Sequence, residues 1–372
     1  MSVWVVVGGQ YGSEGKGKIA AFITLHEQID ICVRCGGPNS GHCFVDDSGR
    51  FQALRQIPTG YVRSGTRLLI PAGGLIEPEL LRRELDLLNL GPERVGVDRN
   101  AMIIEDSDRR IEGELGLRER LSSTLCGVGS AVARRALRGA DVRLAKDAAT
   151  QATWLKPYLV DVSTEINDGI DHGKKVLVEG TQGFGLSLYH SRAYPKTTSR
   201  DTSAAACMSE CGISPRLVTN VVLVLRTFPI RVAGQQAGPL FEEIDWETVQ
   251  RESAYPHHLA EHTTVTGKLR RVGRFDFELA RKAVEINRPN CLAVNFLDYL
   301  SVHNRGVVHG RSLTTDTMGF IARLEESLGV PVGYGGVSPA VNETLVFSKG
   351  SQDDGTTDAS GYRHRSEEFA QR

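Results

Sequence analysis

The stretch Val3-Trp4-Val5-Val6-Val7-Gly8-Gly9-Gln10-Tyr11-Gly12-Ser13-Glu14-Gly15-Lys16-Gly17-Lys18-Ile19-Ala20-Ala21-Phe22-Ile23 decides the fold of this 372-residue chain. Its opening valine-rich run reads as a strand buried on both faces, as in a parallel sheet. Five glycines and two lysines lie between Gly8 and Lys18, and the residues from Lys18 to Ile23 read as a helix. Strand, glycine-rich turn and helix in that order begin a nucleotide-binding α/β unit. Glycines let backbone N–H groups close on a phosphate, the helix N-terminus adds a favourable dipole, and a lysine adds charge. With a buried strand ahead of the loop, phosphate binding is a stronger reading than a tight turn carrying solvated lysines. The loop departs from the G-x-x-x-x-G-K-[ST] pattern. Gly17 follows Gly15-Lys16 where a hydroxyl residue would hold Mg2+, and Gln10 stands where the other glycine belongs. An ordinary P-loop ATPase is therefore disfavoured.

Outward from this unit, short apolar runs recur at Arg67–Ile70, Lys175–Val178, Val221–Leu225 and Cys291–Val294. Helical patterns lie between several of them, at Pro78–Leu90 and Leu155–Ile170. The alternation predicts an α/β fold, one large domain with a mostly parallel central sheet over residues 1–347. Residues 348–372 are polar and poor in apolar side chains, which predicts a disordered tail.

Composition sets wider bounds. Hydrophobic residues make up 40% and charged residues 24%, ordinary for a globular protein. A chain of this length buries a sizeable core without disulfides or a structural metal. Basic and acidic residues number 44 and 45, which gives no reason to expect polymeric nucleic acid or an anionic membrane as partner. The apolar start is too short for a secretory signal, and no stretch is long enough to span a membrane. Seven cysteines, an odd number, are scattered along the chain, as expected of a reduced, cytoplasmic protein. Cys32 and Cys35 form C-x-x-C, and Cys207 and Cys211 share a helical spacing. Zinc requires four ligands at matched spacings, so these are read as buried free thiols. His257, His258 and His262 are read as part of a surface segment.

The glycine loop resembles the opening loop of adenylosuccinate synthetases, usually G-G-Q-W-G-D-E-G-K-G. Gly36-Gly37-Pro38-Asn39-Ser40-Gly41-His42 is similar to that family's G-G-x-N-A-G-H. Glu179-Gly180-Thr181-Gln182-Gly183 resembles its E-G-x-Q-G. Tyr194-Pro195-Lys196-Thr197-Thr198-Ser199 resembles Y-P-x-V-T-S, and Thr266-Gly267-Lys268-Leu269-Arg270-Arg271 resembles its T-G-R-x-R-R. The resemblance runs to about Val346 and implies a P-loop-related fold working as a homodimer. It also implies two-step chemistry. The purine six-oxygen attacks the γ-phosphate of a nucleoside triphosphate, and the amino group of L-aspartate then displaces that phosphate.

The resemblance carries roles to matching positions. Gly12, Glu14, Gly15, Lys16, Gly17, Gly41 and His42 would meet the triphosphate, with Asp298 reading the donor's base. Ser13, Lys16, His42 and Gln182 would serve catalysis, and Ser13 and the Gly41 carbonyl would hold Mg2+. Ser13, Asn39, Ser123, Thr124, Gln182 and Thr198 would contact the substrate nucleotide. Arg134 resembles an arginine that reaches the 5′-phosphate from a partner subunit, or is one charge on a solvated basic helix. Thr266, Lys268 and Arg270 would grip aspartate.

Three departures bear on the substrate. Members acting on inosine monophosphate (IMP) carry aspartate where this chain has Ser13. A serine is no effective general base near neutral pH, but it leaves room for, and accepts a hydrogen bond from, the two-amino group of guanine. Phe296 replaces the lysine of a K-L-D element associated with GTP. Lys268 replaces an arginine. G-S-E-G-K-G is also associated with a phage-type branch of the family. That resemblance implies dGMP and L-aspartate as substrates and ATP or dATP as donor, in a host cytoplasm if the chain is viral. Glu14 and the bound aspartate are the candidates to replace the base. The alternatives are an ordinary synthetase using IMP and GTP, and a nucleotide-binding protein without catalysis.

Overall fold

Ten strands form one central sheet in the computed structural model, which describes residues 2–263, 267–307 and 312–347. They are β1 (Ser2–Gly8), β2 (Ile31–Arg34), β3 (Arg67–Ile70), β4 (Val95–Asp98), β5 (Leu159–Val160), β6 (Lys175–Glu179), β7 (Asn220–Arg226), β8 (Cys291–Asn295), β9 (Val332–Gly336) and β10 (Thr344–Val346). Their spatial order is β10-β9-β8-β7-β1-β6-β2-β3-β4-β5. Every neighbouring pair is parallel except the edge pair β9–β10. β1, the strand read first in the sequence, lies inside the sheet with β7 and β6 on either side.

The unbroken apolar run of β1 follows from this position. Val3, Val5 and Val7 enter the core on one face, and Val6 enters the core on the other. Helices Val162–Asp171, Ala204–Cys211, Phe277–Asn287 and Thr315–Leu328 cover the first face. Helices Lys16–His26 and Pro78–Leu88 cover the second through Ile19, Ile23, Leu81 and Leu85. Each such side chain contributes roughly 1.5–3 kcal/mol relative to exposure. That fixes the sheet and with it the loops at its edge.

Two helical expectations are corrected. The pattern at Leu155–Ile170 is not one helix. A 3₁₀ segment, Thr153–Tyr158, contains Pro157 and gives way to β5. The helix restarts at Val162, where the Asp161 carboxylate accepts from the Thr164 N–H at 3.0 Å. Proline cannot continue a helix ladder, and aspartate favours the cap. The Pro78 helix ends at Leu88, two residues early, because Asn89 turns left-handed with φ 49°.

Cys32, Cys35, Cys207 and Cys211 are buried free thiols, with the Cys35 and Cys211 sulfurs 3.4 Å apart. His257, His258 and His262 are exposed. Among the described residues no helix is long and apolar enough to cross a membrane. Thr266 and the predicted tail, 348–372, lie outside the described residues.

Candidate nucleotide-binding site

The four strands nearest β1 each end on a buried polar residue at one edge of the sheet: Arg34 on β2, Glu179 on β6, Arg226 on β7 and Asn295 on β8. This is the carboxyl edge of a parallel sheet, where α/β proteins bind ligands. The glycine loop leaves β1 into the middle of these residues. Its start is held to the sheet by Gln10. The Gln10 amide donates to the Arg226 carbonyl at 3.1 Å and accepts from the Arg226 N–H at 2.9 Å.

The loop is organised around a buried carboxylate. Glu14 Oε1 accepts from the N–H groups of Gln10 at 3.0 Å and Gly12 at 2.8 Å, and Oε2 takes Lys16 Nζ at 2.7 Å. Lys16 also donates to the Gly12 carbonyl at 3.0 Å and is 1% exposed. Gly12 and Gly15 have φ of 104° and 85°, a region costly for any residue with a Cβ. Gly15 caps the helix Lys16–His26. Asn295 closes the loop from below, donating to the Glu14 carbonyl at 2.7 Å. Glu14 is thus a framework residue. Neither oxygen is free to take a proton from a substrate, which corrects its candidacy as replacement base.

Beside the loop, His42 is buried with its Nδ1 against Glu179 Oε1 and its Nε2 without a partner among the described residues. Burial, with the Arg34 charge, pushes the imidazole down to about 4, against the pull of Glu179. Burial alone would raise Glu179, but His42, Arg34 and the Thr59 N–H bring its carboxyl to about 2. Arg34 Nη1 stands 2.8 Å from Glu179, and the Thr59 N–H and hydroxyl donate to the second oxygen at 2.8 and 3.0 Å. A fixed carboxylate on Nδ1 sets the ring's tautomer and orientation and leaves Nε2 as the working atom. A Cβ added at Gly17 would lie 2.6 Å from His42 Cβ, so the helix start and the histidine touch.

The other motifs converge on the same edge. Gly12 packs on the backbone of Gln182, and Gly36 packs on the side chain of Thr181. Gln182 is in the left-handed region at φ 54°, with its Oε1 buried and unpartnered. Gly129, in the helix Val128–Leu137 that follows the Ser123-Thr124 turn, packs on Ser199, the neighbour of Thr198. Asn39, Ser123, Thr124 and Thr198 are all partly buried there.

Arg134 is corrected on one reading, that of a solvated charge on a basic helix. Its guanidinium is bidentate on the fully buried Asp108, at 3.1 and 2.7 Å, and also donates to the Asp141 carbonyl at 2.8 Å. It is therefore not a solvated charge. The helix end before it is likewise engaged, because Glu112 accepts from the Gly127 and Gly129 N–H groups at 2.9 and 2.8 Å.

Further along the edge, Asp298 is buried and accepts from the Tyr255 hydroxyl. Burial raises its carboxyl to about 6, despite that bond and the nearby Arg305 and Lys18. Phe296 has φ 63° and lies 3.8 Å beneath the Arg226 guanidinium. Lys268 is exposed and Arg270 partly buried on a hairpin whose strands meet at the His262–Leu269 bridge. Burial lowers Arg270, and Glu261 opposes that shift.

The Ser13 hydroxyl and the Gly41 carbonyl make no hydrogen bond among the described residues. Both are hard oxygen donors, the kind that suits Mg2+ keeping several waters. The residues fit that ion.

Sequence reading missed Arg34, Arg226, Glu261 and Asn295 and gave Glu179 no role. A signal was present for four of the five: Arg34, Glu179, Arg226 and Asn295 are each the first polar residue after an apolar run, at the strand end where ligands bind.

The fold and the loop define an α/β nucleotide enzyme built at the carboxyl edge of a parallel sheet. The family model for adenylosuccinate synthetase matches residues 5–146 and 140–308. The adenylosuccinate synthetase of Thermococcus sibiricus is 42% identical over 350 residues, covering 93% of this chain and 98% of that one. That of Pyrococcus horikoshii is 42% identical over 346 residues, covering 92% and 97%. Among solved structures, cyanophage S-2L succinoaminodeoxyadenylate synthetase (PurZ), bound to dGMP and dATP as an energy donor, superposes with a TM-score of 0.77. It is 26% identical, and the match covers 93% of this chain and 95% of that one. The Plasmodium falciparum adenylosuccinate synthetase gives 0.79 at 20% identity, over 93% and 100% of the two chains. The chain belongs to the adenylosuccinate synthetase family, and is a carbon–nitrogen ligase acting on a purine nucleotide and aspartate.

Proposed function

We propose that this ligase condenses dGMP with L-aspartate, driven by ATP or dATP, to give N6-succino-2-amino-2′-deoxyadenylate. One observation carries the reading. The loop that would face the nucleobase offers no free carboxylate: Glu14 is bound into the loop, and position 13 is a partly buried hydroxyl without a partner among the described residues. A neutral acceptor suits the two-amino group of guanine, where a carboxylate base suits IMP. The PurZ relative bound to dGMP and dATP supports the same choice. IMP with GTP is the second reading, favoured by the 42% identity to enzymes named adenylosuccinate synthetase.

In the proposed reaction the six-oxygen of dGMP attacks the γ-phosphorus of the donor, and (d)ADP leaves. The aspartate amine, entering as NH2, then adds at C6, and the C6–O bond breaks to release phosphate, which carries away the proton the new C6–N nitrogen sheds. Lys16 keeps its Glu14 and Gly12 contacts and directs its third N–H to the transferred phosphoryl group. His42 Nε2 faces the same group, and the arriving negative charge offsets the burial that keeps its ring neutral. Glu179 holds the ring while this happens. Ser13 and the Gly41 carbonyl would hold Mg2+, which would supply charge neutralisation at the triphosphate. Gln182, Asn39, Ser123, Thr124 and Thr198 hold the substrate nucleotide, Asp298 the donor's base, and Thr266, Lys268 and Arg270 the aspartate. The bound aspartate's own carboxylate takes the N1 proton. The enzyme acts as a homodimer in the cytoplasm, where nucleotide substrates are found.

Purified protein incubated with aspartate and ATP, with dGMP and IMP in separate reactions, tests the proposal. Phosphate release with dGMP is expected to exceed that with IMP by about a hundredfold or more, the scale of one general-base contribution. Ser13→Asp is expected to shift the ratio toward IMP. Turnover of IMP alone refutes the reading.

A further inference from the structure

Arg226 joins two parts of the site that the sequence keeps far apart. It ends β7 and is 1% exposed. Its Nη1 donates to the Ser13 carbonyl at 3.0 Å, and the same guanidinium is bidentate on Glu261, at 3.3 and 2.5 Å. The Phe296 ring lies flat beneath it at 3.8 Å. Glu261 is the root of the hairpin that carries Lys268 and Arg270, and its carbonyl accepts from the Arg270 N–H at 2.8 Å. On the other side, the Gln10 amide clamps the Arg226 backbone in both directions. One buried cation therefore ties position 13, the loop start and the hairpin root together.

We propose that Arg226 and Glu261 are positioning residues that set the distance between the nucleotide at position 13 and the amino acid held by the hairpin. The inference rests on the hairpin's proposed aspartate role. The geometry argues for positioning over simple stability. A planar guanidinium with two partners and an aromatic floor has no freedom to rotate. On the outgoing arm the segment is anchored by Trp246 Nε1 on the Arg270 carbonyl at 2.7 Å and by Arg271, whose guanidinium meets Glu243 and whose strand pairs on both sides; on the incoming arm Glu261 is held by Arg226. The amine of aspartate must reach C6 of the other substrate, and a misplacement of about 1 Å costs on the order of a hundredfold in rate. Glu261 touches neither substrate in this account; it acts through the hairpin.

Steady-state kinetics of Glu261→Ala, Glu261→Gln and Arg226→Lys test this, with thermal unfolding in parallel. Glu261→Ala frees the hairpin root and leaves the Arg226 bond to Ser13. Its KM for aspartate is expected to rise about tenfold or more, the scale of one charge-assisted hydrogen bond. Its KM for the purine nucleotide is expected to stay within about twofold, since uniform binding of that substrate is untouched. Glu261→Gln, which keeps one acceptor for Arg226, is expected to recover part of the loss. Arg226→Lys cannot hold the Ser13 carbonyl and both Glu261 oxygens, so both KM values are expected to rise. An unchanged KM for aspartate in Glu261→Ala overturns the inference, as do two KM values rising together with a lowered Tm. If the wild-type protein consumes no aspartate with any purine nucleotide, the proposed function falls first. If it does and only the hairpin variants behave as wild type, this inference alone falls.

Discussion

Replacing Glu179 by glutamine removes one charge from the most crowded carboxylate in the site and keeps its shape. The folded state holds this carboxyl at about 2 against an ordinary value of 4.5. That difference is worth about 3 kcal/mol of preference for the charged form in the fold. The group is fully buried, so solvent does not screen it. Glutamine mimics the neutral form and leaves Arg34 a buried cation without its counter-charge, the usual cause of large losses. The expected result at pH 7 is a destabilisation of about 2–3 kcal/mol and a Tm lowered by about 3 °C. The pH dependence has a definite sign. A carboxyl depressed on folding contributes its full stability above 4.5 and loses it as pH falls toward 2, so the gap between wild type and variant should close over that window. Catalysis should suffer more than stability, because His42 loses the charge that orients its ring and stabilises its protonated form. A fall in kcat of about a hundredfold or more is expected. Differential scanning calorimetry and a phosphate-release assay measure both. A Tm within about 1 °C of wild type together with a kcat within about threefold would refute the reasoning.

Two other variants probe the same edge. Gly17→Ala should gain from helix propensity by about 1 kcal/mol, yet its Cβ would sit 2.6 Å from His42 Cβ. Phosphate release should drop at least tenfold on that account, and a fully active variant would show that the helix start and His42 need not touch. Asp298 is raised to about 6 by burial, so it loses its charge in the fold as pH drops through that value. The KM for the triphosphate should rise below about pH 6 and Asp298→Asn should abolish that dependence; a KM flat from pH 5 to 8 in the wild type counts against a charged donor-base contact.

Much of the fold was legible in the sequence because parallel strands buried on both faces announce themselves as apolar runs. β1, β3, β6, β7 and β8 all coincide with such runs. The break at Pro157 and Asp161 was equally visible and was overridden by the apolar spacing around it. The site was legible as motifs, not as pairings. Nothing local shows that Glu14 turns under its own loop or that Arg134 is claimed by Asp108, 26 residues upstream. The partners of Arg226 lie 213 residues before it and 35 after it, at Ser13 and Glu261. Such pairs are set by the order of strands across the sheet, which periodicity along the chain does not encode.

The stitching of the first loop has a consequence for biosynthesis. Asn295 supports the Glu14 carbonyl from 281 positions later, and Lys18 donates to the carbonyls of Ser338 and Glu343, more than 300 positions later. The phosphate loop therefore waits for residues made about 300 positions later. A nascent polypeptide that stops short of Ser338 has the phosphate motif in full and lacks the supports that shape it, so tight binding of nucleotide is expected only after that segment has been made.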